Sequence, residues 1–181
     1  MFDTRRVIMI GLLLAGCDAK PGSDDVLGES ESGSETGDPS VDEAAVVASA
    51  LDYTSFVRIN QSAFASQHGL AKTVNVWVPA EHAARYRELD PAASGPIEAF
   101  PAGALIVKEH LDAQASPIGL TIMFKAQPGF DPERADWWWG NAKLDGTLID
   151  AGSVDYCIGC HGPRSENDWL FGIAADQQTP P

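Results

Sequence analysis

The feature that most constrains this chain is the pentapeptide Cys157-Ile158-Gly159-Cys160-His161, close to its C-terminal end. Its C-x-x-C-H spacing is that of a c-type haem attachment site. The two thiols can add across the two vinyl groups of a porphyrin, and the adjacent histidine can present a ring nitrogen to the iron. The pattern therefore predicts one covalently bound haem c. Cys157 and Cys160 would be its thioether anchors, and His161 the proximal iron ligand.

Three other interpretations of the motif stay open at this stage. Half of a zinc site would need further ligands, and the chain has no second cysteine pair. A redox-active dithiol normally opens a helix after a strand, whereas Gly152-Ser153 and Gly162-Pro163 predict loops on both sides. A plain disulfide is the third alternative. We favour the haem over all three.

The remaining cysteine belongs to an export signal. Two arginines precede the apolar run Val7–Leu14, and Leu14-Ala15-Gly16-Cys17 resembles the end of a bacterial lipoprotein signal. The run is too short to span a bilayer, which needs about 20 residues. We predict a lipoprotein signal peptide at 1–16 and a lipidated Cys17 that anchors the protein to a membrane of the bacterial cell envelope, on the periplasmic side. An ordinary secretory signal is the alternative, and either one exports the chain to the side where bacteria attach c-type haem.

Residues 17–41 are predicted to be the lipidated cysteine followed by a disordered acidic tether. Ser, Gly, Asp, Glu and Pro dominate this segment, and no apolar residue recurs at helical or strand spacing. The tether holds seven acids against Lys20 and so accounts for part of the net charge of −14. A balance this acidic argues against nucleic acid as a partner. The remaining residues, 42–181, suffice for one domain.

The domain is predicted to be α+β and mainly β, with an antiparallel sheet, a packed N-terminal helix and a C-terminal c-type haem loop. Small all-helical c-type cytochromes instead carry the motif near the start of the domain. We predict the helices and strands from the periodicity of apolar residues and from the Pro and Gly residues that interrupt it. They are a helix at 43–51 with helical spacing continuing to 64, a strand at 73–78, a helix at 80–89, a loop at 91–101, strands at 104–111, 118–126 and 136–139, and a final apolar segment at 168–171.

Several stretches of this domain together resemble the cytochrome P-460 family. They are Phe100-Pro-Ala-Gly-Ala-Leu-Ile-Val-Lys-Glu109, Asp136-Trp-Trp, the C-x-x-C-H motif and Asp168-x-x-Phe171. The resemblance covers most of Leu51–Phe171 and implies a mainly antiparallel sheet with a C-terminal c-type haem. Family members include enzymes that oxidise hydroxylamine, and close relatives, the sheet-type cytochromes c′, bind nitric oxide without known turnover. Members are often dimers, so the resemblance also predicts a homodimer.

The resemblance assigns a cross-link to Lys108, since the enzymes join a lysine at this position to the porphyrin edge. The residues alone support this only in part. In an extended strand Lys108 shares a face with Ile106 and His110, while Glu109 points to the other face. Burial in an apolar pocket would favour the neutral amine that such a bond requires. A solvated lysine paired with a carboxylate is the alternative.

At the distal side the chain departs from the enzymes of the family. They use a carboxylate as proton relay on the strand after the lysine, and the matching residue here is Thr121, in Ile118-Gly-Leu-Thr121. A threonine hydroxyl can form hydrogen bonds but cannot take up a proton at neutral pH. Glu109, Asp112 and Glu98 are the candidates to replace the carboxylate.

A second axial ligand would instead make the protein an electron carrier. His68, His82 and His110 are the candidate histidines, each with an ordinary surface or hydrogen-bonding role as the alternative. Met123 is the internal methionine that could ligate, but its strand pattern predicts core packing. The tryptophans Trp137–Trp139 and Trp169 are predicted to be core or walls of the haem pocket.

The sequence thus predicts a mono-haem c-type cytochrome with an open distal iron that binds, and as an enzyme oxidises, a small nitrogen compound such as hydroxylamine or nitric oxide. A redox partner protein would accept the electrons. Two alternatives remain. One is a cytochrome c′-like protein that binds or senses nitric oxide without turnover, and the other is a simple electron carrier.

Overall fold

The computed structural model describes residues 39–65, 71–92 and 95–181. The predicted signal peptide at 1–16, the lipidation site Cys17, nearly all of the predicted tether and His68 lie outside these residues. The described residues belong to one compact unit. None of their helices has both the length and the apolar character needed to cross a bilayer.

A seven-stranded antiparallel sheet forms the body of the domain, with strand order β1-β3-β4-β5-β6-β7 and β2 also pairing with β3. This confirms the predicted α+β, mainly β, class. The helices are α1 (Glu43–Leu51), α2 (Ala80–Arg87) and α3 (Asp155–His161). The strands are β1 (Val57–Arg58), β2 (Phe64–Ala65), β3 (Thr73–Val78), β4 (Leu105–Leu111), β5 (Pro117–Lys125), β6 (Trp137–Ala142) and β7 (Leu148–Gly152).

The first helix spans the predicted residues 43–51, but the helical spacing that continues to 64 does not form helix. Asp42 caps the start of α1 by accepting a hydrogen bond from the Ala45 amide. The chain then makes a short 3₁₀ turn at Tyr53–Ser55, which puts the Tyr53 ring into the core. Tertiary packing of that ring and the pairing of β1 with β3 therefore override the local helical pattern.

The haem motif also differs from its predicted form. It lies in helix α3, not in a loop, and this helix begins three residues after β7 ends. Strand β7 itself was not predicted, because its side chains present no buried face: Ile149, Asp150 and Ala151 are all exposed. Backbone pairing with β6 holds this edge strand in place.

Alternating side chains divide the sheet into two buried faces, here called the helix face and the cavity face. On the helix face, α1 packs on one set of strand residues through Val46, Val47 and Ala50. The sheet residues beneath it are Leu105, Val107, Leu120, Ile122, Trp138 and Ala142. On the cavity face, α2, α3 and the C-terminal segment cover Val76, Val78, Ile106, Met123, Trp137 and Trp139.

The C-terminal segment is held to the cavity face by a buried ion pair. Lys125 Nζ lies 2.5 Å from Asp168 Oδ1, and the other oxygen of Asp168 accepts the Phe100 amide at 2.7 Å. The indole of Trp137 donates to the Asp168 carbonyl at 2.8 Å. Asp168 and Trp169 have φ of 50° and 63°, a left-handed pair that turns the chain sharply after the haem motif. This turn sets the position of the residues that face His161.

Candidate functional site

A pocket that is partly open to solvent lies between the sheet and the segments that cover its cavity face. Three predicted site residues meet there: Lys108 from β4, Thr121 from β5 and His161 from α3. The rest of the wall is apolar or aromatic, with Val76, Tyr86, Ile106, Met123, Leu170 and Phe171. The fold thus brings residues that are far apart in sequence to one largely apolar cavity, as the prediction requires.

The helical form of the motif places its reactive side chains on one side of α3. Cys160 and His161 lie three and four residues after Cys157, a spacing that repeats one helix face. The Cys157 side chain is buried at 3 % exposure, whereas Cys160 is exposed. Both cysteines are free thiols. They are therefore available on the same side as the imidazole that lines the cavity.

The orientation of His161 is that of a metal-ligating histidine. Its Nδ1 lies 2.6 Å from the backbone carbonyl oxygen of Trp169. A carbonyl can only accept, so Nδ1 carries a proton, and in the neutral imidazole Nε2 is then the acceptor nitrogen. In histidines that bind iron or zinc, a hydrogen bond from the ring nitrogen that does not bind the metal usually fixes the tautomer. The ring of Phe171 packs edge-on against the imidazole at 5.1 Å and limits its rotation.

Lys108 projects from the middle of β4 toward the cavity. Burial lowers the pKa of its amine, and the nearby Cys160 and Cys157 oppose that shift with a weaker electrostatic effect. Their influence places both thiols in the neighbourhood of the amine. Among the residues that the structure describes, Lys108 forms no ion pair. The alternative of a lysine paired with a neighbouring carboxylate is therefore not what the structure shows.

Thr121 stands directly across from Lys108 in the paired strands, on the cavity face. Its hydroxyl lies 2.6 Å from His110 Nε2 and 3.1 Å from Asn141 Oδ1. The amide of Asn141 in turn donates to the Tyr156 hydroxyl, which donates to the exposed Asp150 at 3.2 Å. A chain of polar groups thus runs from the cavity wall to the surface.

The candidates to replace a distal carboxylate lie elsewhere. Glu109 is on the helix face, where its oxygens accept from Tyr53 at 2.9 Å, Asn75 at 2.8 Å and Trp77 at 3.1 Å. Asp112 accepts backbone amides in the turn after β4, and Glu98 is an exposed partner of Arg85. None of these three is among the residues that line the cavity.

The thiol chemistry of the motif bears on the dithiol interpretation. The argument from flanking loops does not hold, because the motif lies in a helix that follows a strand. However, burial raises the pKa of Cys157 to about 11, and the Tyr156 hydrogen bond offsets only part of that rise. Redox-active thiols have a lowered pKa, since the thiolate is the nucleophile. Cys157 therefore lacks the lowered pKa of a redox-active thiol.

One buried polar atom on the cavity face is unsatisfied. The indole Nε1 of Trp139 has no hydrogen-bond partner among the described residues, although its side chain is fully buried. Native proteins rarely leave such a donor unpaired, because burial without a hydrogen bond is unfavourable. Trp139 is not among the described residues that line the cavity, so this donor does not bear on a ligand there. The hydrogen bond that orients His161 is compatible with the predicted cofactor.

Other cavity features could not be identified from the sequence. Tyr86 lines the cavity and donates to the Phe171 carbonyl at 2.8 Å, and the polar pair Asn141 and Tyr156 connects Thr121 to the surface. The register of β5 and β6 pairs Thr121 with Asn141, and the packing of α2 and α3 on the sheet adds Tyr86 and Tyr156. Within the described ranges, no three or more His, Cys, Asp or Glu side chains converge as metal ligands.

Comparison with known proteins gives no further assignment. No protein-family model matches the chain, and a search of the curated proteins finds no match. The resemblance to the cytochrome P-460 family therefore stays a prediction.

Proposed function

We propose that residues 42–181 form a mono-haem c-type cytochrome of the cytochrome P-460 type that binds and oxidises a small nitrogen compound. Hydroxylamine is the substrate class that this proposal favours. The supporting observation is the state of His161: its Nδ1 is committed to the Trp169 carbonyl, and its ring lines the same cavity as Lys108. Cys157 and Cys160 precede it at the spacing for haem attachment.

Each residue in this proposal has a defined task. Cys157 and Cys160 would hold the haem through thioether bonds, and His161 would ligate its iron through Nε2. Lys108 would be the cross-linking residue, since burial lowers the pKa of its amine and favours the neutral form. The bound haem would supply a ligand site and one-electron redox chemistry. The apolar walls around Ile106 and Leu170 would keep bulk water from the bound ligand.

A second function is favoured by one specific observation. Thr121, not a carboxylate, faces the cavity, and the described residues that line the cavity include no Asp or Glu. A site without a nearby base suits ligand binding better than removal of protons from a substrate. A cytochrome that binds or senses nitric oxide without turnover is therefore the alternative proposal. The simple electron carrier becomes less favoured, since His110 Nε2 is engaged by Thr121.

The absorption spectrum of the reduced, haem-loaded protein tests the cofactor proposal. We expect a broad Soret band far to the red of ordinary c-type haem if Lys108 is joined to the porphyrin. Lys108→Met, which keeps the length of the side chain without its amine, should then revert to an ordinary open c-type spectrum. A parent spectrum identical to that of the variant would contradict the cross-link. Sharp α and β bands with no reaction toward carbon monoxide would indicate two protein ligands and an electron carrier.

Turnover distinguishes the enzyme from the nitric-oxide-binding protein. We expect loss of hydroxylamine coupled to reduction of an added electron acceptor, with the heat-denatured holoprotein as control. Tight nitric oxide binding without hydroxylamine loss would favour the alternative instead. In the cell, the proposal places the protein on the periplasmic side of the envelope. It would be lipid-anchored through Cys17, would act with a redox partner protein and would form a homodimer.

A further inference from the structure

A buried carboxylate lies one residue away from the carbonyl that orients His161. The side chain of Asp168 is 3 % exposed, and its Oδ1 lies 2.5 Å from Nζ of Lys125, whose side chain is 8 % exposed. The other oxygen of Asp168 accepts the Phe100 amide at 2.7 Å. The next residue in the chain, Trp169, accepts a hydrogen bond at its carbonyl from His161 Nδ1 at 2.6 Å. The ion pair and the hydrogen bond to the imidazole therefore share one short stretch of backbone.

That stretch of backbone has a conformation that needs support. Asp168 and Trp169 have φ of 50° and 63°, in the left-handed region that residues other than glycine seldom occupy. Each such residue is unfavourable, and two in succession persist only where the surrounding contacts hold them. Loss of those contacts should let the turn relax, and the Trp169 carbonyl would then move away from His161.

Three separate parts of the domain hold the turn through Asp168. Lys125 is the last residue of β5, the Phe100 amide comes from the segment before β4, and Trp137 is the first residue of β6. The Trp137 indole donates to the Asp168 carbonyl at 2.8 Å. Lys125 and Trp137 are also partners in the strand register, and Lys125 Nζ lies 4.8 Å from the centre of the Trp137 ring. The ion pair joins two opposite charges, so it should be the strongest of these contacts.

The acceptor that meets the imidazole is a neutral group. Both carboxylate oxygens of Asp168 are engaged, by Lys125 and by the Phe100 amide, and the backbone carbonyl of Trp169 is the group at His161 Nδ1. A hydrogen bond at this nitrogen fixes the orientation of a ligating imidazole and raises the basicity of its other nitrogen. A change in the position of the carbonyl should therefore alter Nε2, the nitrogen that the proposed function assigns to the iron.

We propose that Asp168, paired with Lys125, is a positioning residue for His161. The ion pair holds the left-handed turn so that the Trp169 carbonyl stays within hydrogen-bond distance of Nδ1, and it thereby sets the reduction potential of the bound haem. This inference rests on the proposed function, since it takes His161 as the iron ligand. It also gives a task to the first residue of the stretch Asp168-x-x-Phe171, which is not among the described residues that line the cavity.

Three variants of the full chain separate positioning from a contribution to stability. Asp168→Asn removes the ion pair but keeps an acceptor for the Phe100 amide. Asp168→Asn combined with Lys125→Met also removes the uncompensated ammonium, so this double variant should recover part of the lost stability without the charged contact. Glu109→Gln is the matched control, because it changes a buried carboxylate on the helix face, on the opposite side of the sheet from the turn. Urea unfolding ranks the stability of all three.

The first measurement uses the haem-loaded proteins. It combines the iron–histidine stretching frequency of the reduced protein, from resonance Raman spectroscopy, with the reduction potential. We expect the frequency to fall and the potential to rise in Asp168→Asn and in the double variant, because a weaker hydrogen bond at Nδ1 makes Nε2 a poorer donor to iron. Glu109→Gln should match the parent protein in both. A double variant that recovers stability and also returns to the parent frequency would overturn the proposal, since the pair would then have a structural role alone.

The second measurement does not depend on haem. In the haem-free full chain, nuclear magnetic resonance can follow the Nδ1 proton of His161, which is identified by its absence from His161→Gln. We expect this proton to exchange with water roughly tenfold faster in Asp168→Asn than in the parent protein, as for loss of one hydrogen bond. Glu109→Gln should keep the parent rate. Equal rates in Asp168→Asn and the parent protein would overturn the proposal.

The outcomes separate this inference from the proposed function. A parent protein that takes up no haem, or whose reduced haem shows no iron–histidine band, would overturn the proposed function. The exchange rate in the haem-free chain would then still decide whether the ion pair holds the carbonyl against His161. A haem-loaded Asp168→Asn protein with the parent frequency and potential would overturn the positioning role alone. If Asp168→Asn does not fold, the double variant provides the same comparisons.

Discussion

The two faces of the sheet are built from the same strands but place two neighbouring ionisable residues, Glu109 and Lys108, in opposite surroundings. On the helix face, the carboxylate of Glu109 is 6 % exposed and accepts three hydrogen bonds, from Tyr53, Asn75 and Trp77. On the cavity face, Lys108 has no ion-pair partner among the described residues, and burial lowers its pKa. The carboxylate of Glu109 has its hydrogen bonds satisfied, whereas the surroundings of Lys108 favour loss of its charge. The contrast is between these two residues, since the cavity face also holds the Lys125–Asp168 ion pair.

This difference separates structure from chemistry within a single strand. Glu109 and Lys108 are adjacent in sequence, and strand alternation alone sends one to each face. A buried carboxylate with satisfied hydrogen bonds is fixed in position, which suits a structural role. A half-buried amine with no counter-ion in the described part of the chain is a candidate reactive group. The site is therefore expected on the cavity face, and changes to the two faces should have different consequences.

The largest effect should follow removal of the motif thiols. We expect Cys157→Ser combined with Cys160→Ser to abolish covalent haem, because no thioether bond can then form. Haem staining of the denatured protein after electrophoresis measures this directly. Glu109→Gln, on the opposite face, is the matched control and should retain covalent haem. Covalent haem in the double serine variant would contradict the assignment of the motif.

The second-largest effect should follow disruption of the Lys125–Asp168 ion pair, which holds the C-terminal segment on the cavity face. Asp168→Asn keeps an acceptor for the Phe100 amide and tolerates the left-handed backbone, but it leaves Lys125 buried without a counter-ion. We expect a loss of about 3–5 kcal/mol in the free energy of unfolding, measured with urea on the haem-free protein. Adding Lys125→Met should recover part of this loss. If Asp168→Asn is as stable as the parent protein, the pair does not hold the segment.

The sheet could be predicted from the sequence where strands have a buried face, and the site only where its residues form a motif. Alternation in Thr73–Val78 and the apolar run before Lys108 identified β3 and β4, whereas the exposed edge strand β7 carries no such pattern. The contact between His110 and Thr121 depends on strand register, which no local pattern encodes. The helical state of Cys157–His161 was missed because the flanking glycines predict loops.

A third prediction concerns the two thiols of the haem-free protein. In a Cys17→Ser background, alkylation near pH 8 should modify Cys160 first. Burial raises the pKa of Cys157 to about 11, so its thiolate fraction falls and is regained only as the pH rises toward that value. A pKa that is higher by two units lowers the thiolate fraction about a hundredfold at a pH below both values. Mass spectrometry of timed samples gives both rates. Equal rates in the folded protein would contradict the buried state of Cys157, and equal rates in urea are the expected control.

The smallest expected effect tests the contrast between the two faces most directly. Glu109→Gln leaves one donor among Tyr53, Asn75 and Trp77 without its acceptor, so we expect a loss of about 1–3 kcal/mol in unfolding free energy. Lys108→Met removes an amine whose charged form burial already disfavours, and we expect no loss of stability in the haem-free protein. Urea unfolding of both variants at one pH measures the difference. If Lys108→Met is the more destabilised of the two, the amine contributes to the stability of the fold. The lowered pKa of Lys108 would then not indicate a reactive amine.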